Sequence, residues 1–300
     1  MSRSPRNRAD SAAAGAGPSL ANIDPRKSLG QHFLHDQGVL RRIAALAAPE
    51  PGSGVVEVGP GTGALTEHLL GLGCPVHAVE RDDRLLPLLA DRFGPALRLH
   101  AADAVHLDWP SVLGDPALGP RPVVVGNLPY NVGAAIVMAL LESPHPPARL
   151  VVMLQREVAD RIAAPSPSHP AWGLLSVHAG WRAEVRSCFR VGPGAFRPPP
   201  KVESAVIALW PRATPLAEVP SQVSFDRLVN AGFGQRRKQL AGAFGHSLGL
   251  PREGVLAALT AHGLRADARA EQLDLAAWAA LTRTLHPALM APSHSQEAPA

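Results

Sequence analysis

Short runs of β-branched residues alternate with segments of helical periodicity from Ile23 to about Pro211, and this alternation constrains the fold most strongly. It is typical of an α/β domain whose mostly parallel strands are covered by helices on both faces. The run Val123–Val125 is the most apolar, so we expect it at the centre of the sheet. The other strand signals lie at 55–58, 76–79, 97–99, 150–153 and 202–209, the last as a hairpin partner of 182–189.

The chain is expected to divide into four segments. Only helical periodicity remains beyond Pro211, which predicts a small all-helical domain. We therefore predict a flexible arm at 1–22, an α/β domain at 23–212, a helical domain at 213–286 and a flexible tail at 287–300. The arm and the tail carry too few large apolar side chains to offset the entropy of ordering.

Composition excludes several classes of protein. No run approaches the roughly 18 apolar residues of a membrane helix, and the first residues lack the apolar stretch of a secretory signal. Cys74 and Cys188 form no CxxC pair, and the 13 histidines form no ligand cluster, so we expect no disulfide framework and no metal site. We predict a cytoplasmic monomer, whose net charge of +4 suits a polyanionic partner without requiring one.

A glycine-rich turn follows the strand signal at 55–58 and precedes a helical segment. It reads Gly59-Pro60-Gly61-Thr62-Gly63, and the missing Cβ atoms let backbone approach a ligand closely. A phosphate-binding P-loop would end in Gly-Lys-Ser/Thr, whereas Ala64 follows Gly63, so hydrolysis of ATP or GTP is not expected. The turn predicts a nucleotide-type cofactor site, although packing before a helix also explains glycines.

Two acidic residues strengthen that prediction. Glu80 ends the second strand, 21 residues after Gly59, where a carboxylate can accept hydrogen bonds from both ribose hydroxyls. Asp103 follows the third strand and is placed to accept from the adenine amino group of the cofactor. The alternatives are a surface charge for Glu80 and a helix cap for Asp103. Glu57 and the short G-x-G-x-G spacing resemble methyltransferase motif I more than the NAD-binding G-x-G-x-x-G, which favours S-adenosylmethionine.

The most specific motif follows the fourth strand and reads Gly126-Asn127-Leu128-Pro129-Tyr130. An aromatic amino group is a poor nucleophile because its lone pair is delocalised into the ring. The side-chain oxygen of Asn127 and the backbone carbonyl of Leu128 can each accept one N–H, which directs the lone pair toward a methyl donor. Tyr130 offers a face for stacking an extruded base. We therefore predict Asn127, Leu128 and Tyr130 as catalytic residues; an ordinary strand-to-loop turn is the alternative.

Further motifs carry a resemblance to a known family. They read KSLGQHFL at 27–34, MLQREV at 153–158, FRPPPKVES at 196–204 and QRRK at 235–238. With the two sites above, they make the chain similar to the bacterial small-subunit rRNA adenine dimethyltransferases, the dimethyladenosine transferase family, from Arg26 to about His286. The resemblance implies a class I Rossmann-like methyltransferase sheet with a small C-terminal all-helical domain.

The resemblance also implies roles for particular residues. His32 and Leu34 would close over S-adenosylmethionine, whose pocket Gly59, Glu80, Asp103 and Asn127 complete. Phe196 would join Tyr130 in holding the flipped adenine. The substrate would be two adjacent adenosines in a hairpin near the 3′ end of 16S rRNA in the pre-30S subunit, each receiving two methyl groups.

The chain departs from the family pattern at two of these motifs. His32 stands where many members have Asn, which is also a hydrogen-bonding side chain. The segment after the QRRK run, 239–244, is poorer in basic residues than is usual. We predict that Arg236, Arg237 and Lys238 contact RNA phosphates, with a solvated basic helix start as the alternative.

Three other functions remain open at this point. Methylation of an adenosine in large-subunit rRNA uses the same chemistry. An assembly factor would act mainly by binding the immature subunit, with methylation secondary. An NAD-dependent oxidoreductase would be protected from thermal unfolding by NAD rather than by S-adenosylmethionine.

Overall fold

The computed structural model describes residues 23–26, 29–235 and 237–290, so the predicted arm at 1–22 and residues 291–300 lie outside the described residues. In chain order the strands are β1 Phe33–Leu34, β2 Val55–Val58, β3 Val76–Glu80, β4 Leu97–Ala101, β5 Val123–Asn127, β6 Arg149–Gln155, β7 Ala183–Val191, β8 Phe196–Arg197 and β9 Ser204–Pro211. The helices are α1 Gln37–Ala47, α2 Ala64–Leu70, α3 Leu86–Phe93, α4 Trp109–Leu113, α5 Gly133–Glu142, α6 Arg156–Ala163, α7 Leu174–Arg182, α8 Gln222–Gly234, α9 Leu240–Leu248, α10 Arg252–Ala261 and α11 Leu275–Met290.

Seven strands form one sheet in the order β4-β3-β2-β5-β6-β9-β7. The first five strands of this order pair in parallel, and β9 pairs antiparallel with both β6 and β7. Strand β5 is the fourth of the seven, which confirms the central position predicted from its valines. The predicted pairing of the segment 182–189 with the segment 202–209 is also confirmed, because β7 pairs with β9.

Helices cover both faces of the sheet because successive strand residues point to opposite sides. Val124 packs on one face with Ile136 of α5 and Ile162 of α6. Val125 packs on the other face with Leu40 of α1 and Leu69 of α2. Asp36 caps the start of helix α1. Its side chain accepts a hydrogen bond from the backbone N–H of Val39 at 2.9 Å.

One pairing of distant segments was not predicted from the sequence. Strands β1 and β8 form a separate two-stranded antiparallel sheet, in which Phe33 pairs with Arg197 and Leu34 with Phe196. This pairing joins the segment before α1 to the segment after β7. It therefore holds the KSLGQHFL and FRPPPKVES motifs side by side.

The C-terminal helices share their core with α7, which precedes the predicted domain boundary at 212. Trp172, Val177 and Trp181 pack in the same cluster as Phe225 and Trp278. Trp172 and Trp181 are both buried. The four-segment division itself remains a prediction.

The last helix extends past residue 287, where the sequence predicts the start of the tail. Helix α11 continues to Met290, because Leu285 and Leu289 lie one turn apart and are both buried. Within the described part of the chain, no helix combines the length and the apolar character needed to cross a membrane.

Candidate active site

One cavity brings together most of the predicted site residues. It lies where the loops after β2, β3, β4 and β5 meet the N-terminal segment around β1. The carboxyl ends of parallel strands are the usual ligand-binding edge of an open α/β sheet. The predicted residues that line the cavity are His32, Leu34, Gly59, Glu80, Asp103, Asn127, Leu128 and Tyr130.

The glycine turn forms the floor of the cavity in a conformation that favours glycine. Gly59 and Gly61 have φ values of 70° and 58°, in the left-handed region that other residues rarely adopt. A Cβ at Gly61 would also lie 3.0 Å from the ring of Phe33. The turn thus brings the chain close to β1 while leaving space at Gly59, where a Cβ would meet only the carbonyl oxygen of Asn127, at 3.9 Å.

Glu80 is held rigidly at the edge of the cavity. Its carboxylate accepts from the backbone N–H of Gly61 at 3.2 Å and from that of Asp82 at 2.7 Å. Burial raises the pKa of Glu80, although these backbone hydrogen bonds oppose the rise. Each carboxylate oxygen has a second lone pair, so the fixed group can still accept from ribose hydroxyls.

Asp103 caps a local turn and also lines the cavity. Its Oδ1 accepts from the backbone N–H of Val105 at 3.0 Å, which caps the local turn. Its Oδ2 lies 3.1 Å from the guanidinium of Arg81. The backbone hydrogen bond is the main cause of the lowered pKa of Asp103, with Arg81 adding to it. The carboxylate is therefore ionised, fixed and on the cavity wall.

Glu57 lies beneath the glycine turn and is almost completely buried. Its carboxyl group accepts a hydrogen bond of 2.6 Å from the hydroxyl of Thr66 on α2. Burial raises the pKa of Glu57 to about 8, and the nearby Glu80 adds to the rise while Thr66 opposes it. Glu57 is thus protonated at neutral pH in the structure without a ligand.

The segment around β1 is tied across the mouth of the cavity. The side-chain amide of Gln31 donates to Asp82 at 2.9 Å. Hydrogen bonds from Arg84 and Gln31 hold the pKa of Asp82 down to about 2. Neither Gln31 nor Asp82 was singled out from the sequence; the position of Asp82 two residues after Glu80 was the available signal.

Asn127 is oriented by a residue 95 positions earlier in the chain. Its Nδ2 donates to the backbone carbonyl of His32 at 2.9 Å. Because the donor end of the amide is fixed, the Oδ1 end is left available as an acceptor. Among the described residues, no donor reaches this Oδ1 or the carbonyl oxygen of Leu128. The backbone N–H of Leu128 donates to the backbone carbonyl of Met153 at 3.0 Å, which holds the loop against β6.

Tyr130 is held from two sides. The ring of His32 stacks on it with centroids 5.3 Å apart and planes inclined by 28°. The Tyr130 hydroxyl is hydrogen-bonded to the Ser204 hydroxyl at 2.7 Å. Nδ1–H of His32 donates to the carbonyl of Pro198 at 2.8 Å, so the proline-rich loop lies beside the site. Sequence reasoning missed Ser204, which begins a strand 74 residues away.

Phe196 and the basic run lie elsewhere. Phe196 is 3% exposed and packs with Leu34 in the core beneath α1. It is not among the residues that line the cavity. The base-holding role expected for Phe196 remains a prediction. Arg237 and Lys238 are exposed in the connection between α8 and α9, whereas Arg236 lies outside the described residues.

Residues 23–26, 29–235 and 237–290 contain no group of three or more His, Cys, Asp or Glu side chains arranged to hold a metal ion.

Comparisons with known proteins agree with this geometry. The family model described as "Ribosomal RNA adenine dimethylase" matches residues 22–286. A relative from Anaeromyxobacter sp. (strain K), named "Ribosomal RNA small subunit methyltransferase A", is 46% identical over 270 residues, which cover 88% of this chain and 94% of the relative.

Two solved structures resemble the fold. The 23S rRNA methyltransferase ErmE has a TM-score of 0.64 and 28% identity, covering 85% of this chain and 99% of that chain. A dimethyladenosine transferase from Plasmodium falciparum has a TM-score of 0.68 and 22% identity, covering 85% of this chain and 98% of that chain. At this identity the likeness supports the fold alone. These comparisons confirm the resemblance and the fold class predicted from the sequence. The chain belongs to the ribosomal RNA adenine dimethylase family, and its activity is that of an rRNA adenine dimethyltransferase.

Proposed function

We propose that this enzyme uses S-adenosylmethionine to dimethylate the exocyclic amino groups of two adjacent adenosines in a hairpin near the 3′ end of 16S rRNA. It would act as a monomer on the pre-30S subunit in the cytoplasm. The observation that carries the proposal is the fixed amide of Asn127, whose donor end is engaged by His32 and whose acceptor end is available beside Tyr130.

The cavity offers backbone space and hydrogen-bond acceptors that suit S-adenosylmethionine. The space at Gly59 lets the backbone approach a nucleoside, and the rigid carboxylate of Glu80 suits two ribose hydroxyls. Asp103 suits the amino group of an adenine ring. His32 and Leu34 would cover the cofactor from the β1 segment. When bound, the cofactor supplies a methyl group on a sulfonium, which is activated toward a nitrogen nucleophile.

The chain's own task is to prepare the nucleophile. Asn127 Oδ1 and the Leu128 carbonyl each accept one N–H of the target amino group, which favours a pyramidal nitrogen whose lone pair is withdrawn from the ring π system. Both acceptors are held before substrate arrives, Asn127 by His32 and the loop by Met153, so little reorganisation remains for the reaction. No general base is required, because the methylated nitrogen can lose its proton to water.

Tyr130 supplies the stacking surface for the extruded adenine. One face of its ring is covered by His32, so the base is expected on the other face. Phe196 contributes indirectly in this proposal, since it anchors Leu34 through the β1–β8 pairing. Arg236, Arg237 and Lys238 are proposed to contact rRNA phosphates, in keeping with the exposure of the latter two.

Substitution of Asn127 tests the proposal. Asn127→Ala removes one acceptor for the amino group, and we expect kcat on under-methylated small subunits to fall about 10²- to 10³-fold. Asn127→Asp keeps an oxygen acceptor but loses the donor to His32, so an intermediate loss is expected. Binding of small subunits should be nearly unchanged in both variants.

Three results would contradict the proposal. Methyl transfer by Asn127→Ala at the wild-type rate would remove Asn127 from the mechanism. Normal subunit assembly in cells carrying only Asn127→Ala would favour the assembly-factor role over the catalytic one. Protection of the protein from thermal unfolding by NAD, without protection by S-adenosylhomocysteine, would favour an oxidoreductase.

Large-subunit rRNA is the second candidate substrate, and the likeness to ErmE favours it specifically. The FRPPPKVES and QRRK motifs favour the small subunit instead. Dimethyladenosine mapping in both rRNAs of cells lacking the gene separates the two. Loss of the modification from large-subunit rRNA alone would overturn the 16S assignment.

A further inference from the structure

Two segments outside the cavity and outside the QRRK run carry a local excess of positive charge. Helix α1 contains Arg41 and Arg42 and no acidic residue. Residues 183–202 contain four basic residues, the last being Lys201, and one acidic residue, Glu184. Together the two segments carry six basic residues against one acidic, a net charge of +5, whereas the whole chain has a net charge of +4. The rest of the chain is therefore close to neutral.

The two segments meet on one face of the sheet. The guanidinium of Arg42 lies 3.6 Å from the centre of the Phe189 ring, which joins α1 to β7. The guanidinium of Arg186 lies 4.9 Å from the centre of the Trp210 ring, which joins β7 to β9. We call these four residues, Arg42, Arg186, Phe189 and Trp210, the arginine face.

The arginine face is open to a partner. Helices α6 and α7 pack on the opposite side of β7 and β9, against Val185 and Leu209. On the arginine face, Phe189 and Trp210 stay half-buried while Arg42 and Arg186 are exposed. Strand β7 is the last strand of the described sheet. Charged residues often protect such an edge from aggregation, but that role does not account for Arg42 on a helix.

The arginines are prepared for a phosphate backbone. Stacking on an aromatic ring restricts a guanidinium, so less side-chain entropy is lost when it binds an anion. Arg186 is also held by Glu184 at 2.6 Å. Among the described residues, Arg42 forms no ion pair, so its charge is available.

The arginine face and the active site are linked through strand β9. Ser204, which holds the Tyr130 hydroxyl, begins β9, and Arg186 pairs with Ala208 four residues further along that strand. At 3.3 Å per residue, this separation is about 13 Å. A structured RNA whose target base enters the cavity can therefore reach the arginine face.

We propose that the arginine face is a docking surface for the phosphate backbone of the rRNA flanking the target adenosines. The proposal rests on the rRNA substrate proposed above. Arg42 and Arg186 would each contact a phosphate, and they would contribute to substrate binding without taking part in methyl transfer.

The test removes these charges one at a time and together. Arg42→Gln and Arg186→Gln are expected to raise the KM for under-methylated small subunits roughly three- to fivefold each, and more in combination. Each should lower the slope of log affinity against log salt by about 1. The kcat and the affinity for S-adenosylhomocysteine should not change.

Arg98→Gln is the matched control. Arg98 lies on β4, the strand at the other edge of the sheet. Its side chain is 60% exposed and forms an ion pair with Asp115. The side chain of Arg186 is similarly 65% exposed and forms an ion pair with Glu184. Removal of Arg98 should leave KM and salt slope at wild-type values. Thermal unfolding of all variants confirms that they are folded.

Two results would overturn the proposal. One is a double variant whose KM and salt slope equal those of Arg98→Gln. The other is a raised KM with an unchanged salt slope, which would indicate a protein surface as the partner. If the wild-type enzyme fails to methylate small subunits, the proposed function fails, while sedimentation of each variant with small subunits still measures the contribution of this surface.

Discussion

His32 is the residue on which the contacts of the catalytic loop converge. Its backbone carbonyl orients Asn127, its ring stacks on Tyr130, and its Nδ1–H reaches the carbonyl of Pro198. An Asn side chain at this position, as the resemblance implies for many relatives, cannot supply a stacked ring. His32 therefore positions Tyr130 in this chain in addition to its expected place over the cofactor.

The stacking of His32 can be measured directly, because Tyr130 is the only tyrosine of the chain. Protein labelled with 3-fluorotyrosine should give a single ¹⁹F resonance. His32→Ala is expected to shift this resonance and to lower kcat/KM roughly three- to tenfold, since an aromatic pair contributes about 0.5–1.5 kcal/mol. His32→Phe keeps a ring and should restore both toward wild type. An unmoved resonance in His32→Ala would contradict the stacking role.

Glu57 should make stability depend on pH in the direction opposite to an ordinary carboxylate. Its pKa is raised from 4.5 to about 8 in the folded protein, so the folded state binds a proton that the unfolded state has lost. Its contribution to stability is complete below pH 4.5 and is lost as the pH rises toward 8, at up to roughly 1.4 kcal/mol per pH unit. Glu57→Gln should remove this slope.

Urea unfolding between pH 5 and pH 8.5, without cofactor, measures the effect. The difference in unfolding free energy between Glu57→Gln and wild type should grow with pH. Glu67→Gln, at an exposed position on the same helix as Thr66, is the control and should show no such growth. A pH-independent difference for Glu57→Gln would show that burial does not protonate this carboxyl group.

Helix α7 is the element that joins the sheet to the C-terminal helices. Ala179 packs in the core of the sheet, while Val177 and Trp181 pack with the C-terminal helices. A helix buried on several sides has no polar face, so its sequence lacks the periodicity by which α1 and α8 were recognised. The sequence analysis consequently did not assign a helix at these residues.

A partly buried ion pair fixes α7 to α8. Arg182 donates to both carboxylate oxygens of Asp226, at 2.8 Å and 2.7 Å. Burial alone would raise the pKa of Asp226, but hydrogen bonds from His178 and Arg182 lower it overall. Its stabilising contribution is therefore present above the unfolded pKa of 3.8 and is lost as the pH falls.

Asp226→Asn replaces the carboxylate that pairs with Arg182 by a neutral amide. We therefore expect the free energy of unfolding at pH 7 to fall by about 3 kcal/mol. Asp267→Asn removes a carboxylate of the exposed Arg265–Asp267 pair and should cost less than about 1 kcal/mol. Urea denaturation of both variants measures the difference. Equal effects of the two substitutions would mean that the Arg182–Asp226 pair does not stabilise the junction.

At the scale of the whole molecule, charge and chemistry occupy different regions. The cavity is built from carboxylates, an amide and aromatic rings at the carboxyl edge of the parallel strands. A local excess of positive charge lies on α1 and on residues 183–202. Such a division separates the positioning of rRNA from the reaction on one base, because phosphate contacts fix register while the cavity selects the group that reacts.

The sequence by itself determined the alternating sheet, the glycine turn with Glu80 and Asp103, and the Asn127–Tyr130 loop. These features depend on residues close together in the chain, where periodicity and turn chemistry act locally. Because all of them end parallel strands, the sequence also predicted that they would share one edge of the sheet.

The tertiary structure alone decided which distant segments complete the site. The contact of His32 with Pro198 spans 166 residues, and that of Tyr130 with Ser204 spans 74. The inward position of Phe196, the extension of α11 to Met290 and the burial of α7 also depend on packing between remote segments. Local propensity carries no information about such pairings, since they are selected by the burial of apolar surface in the complete fold.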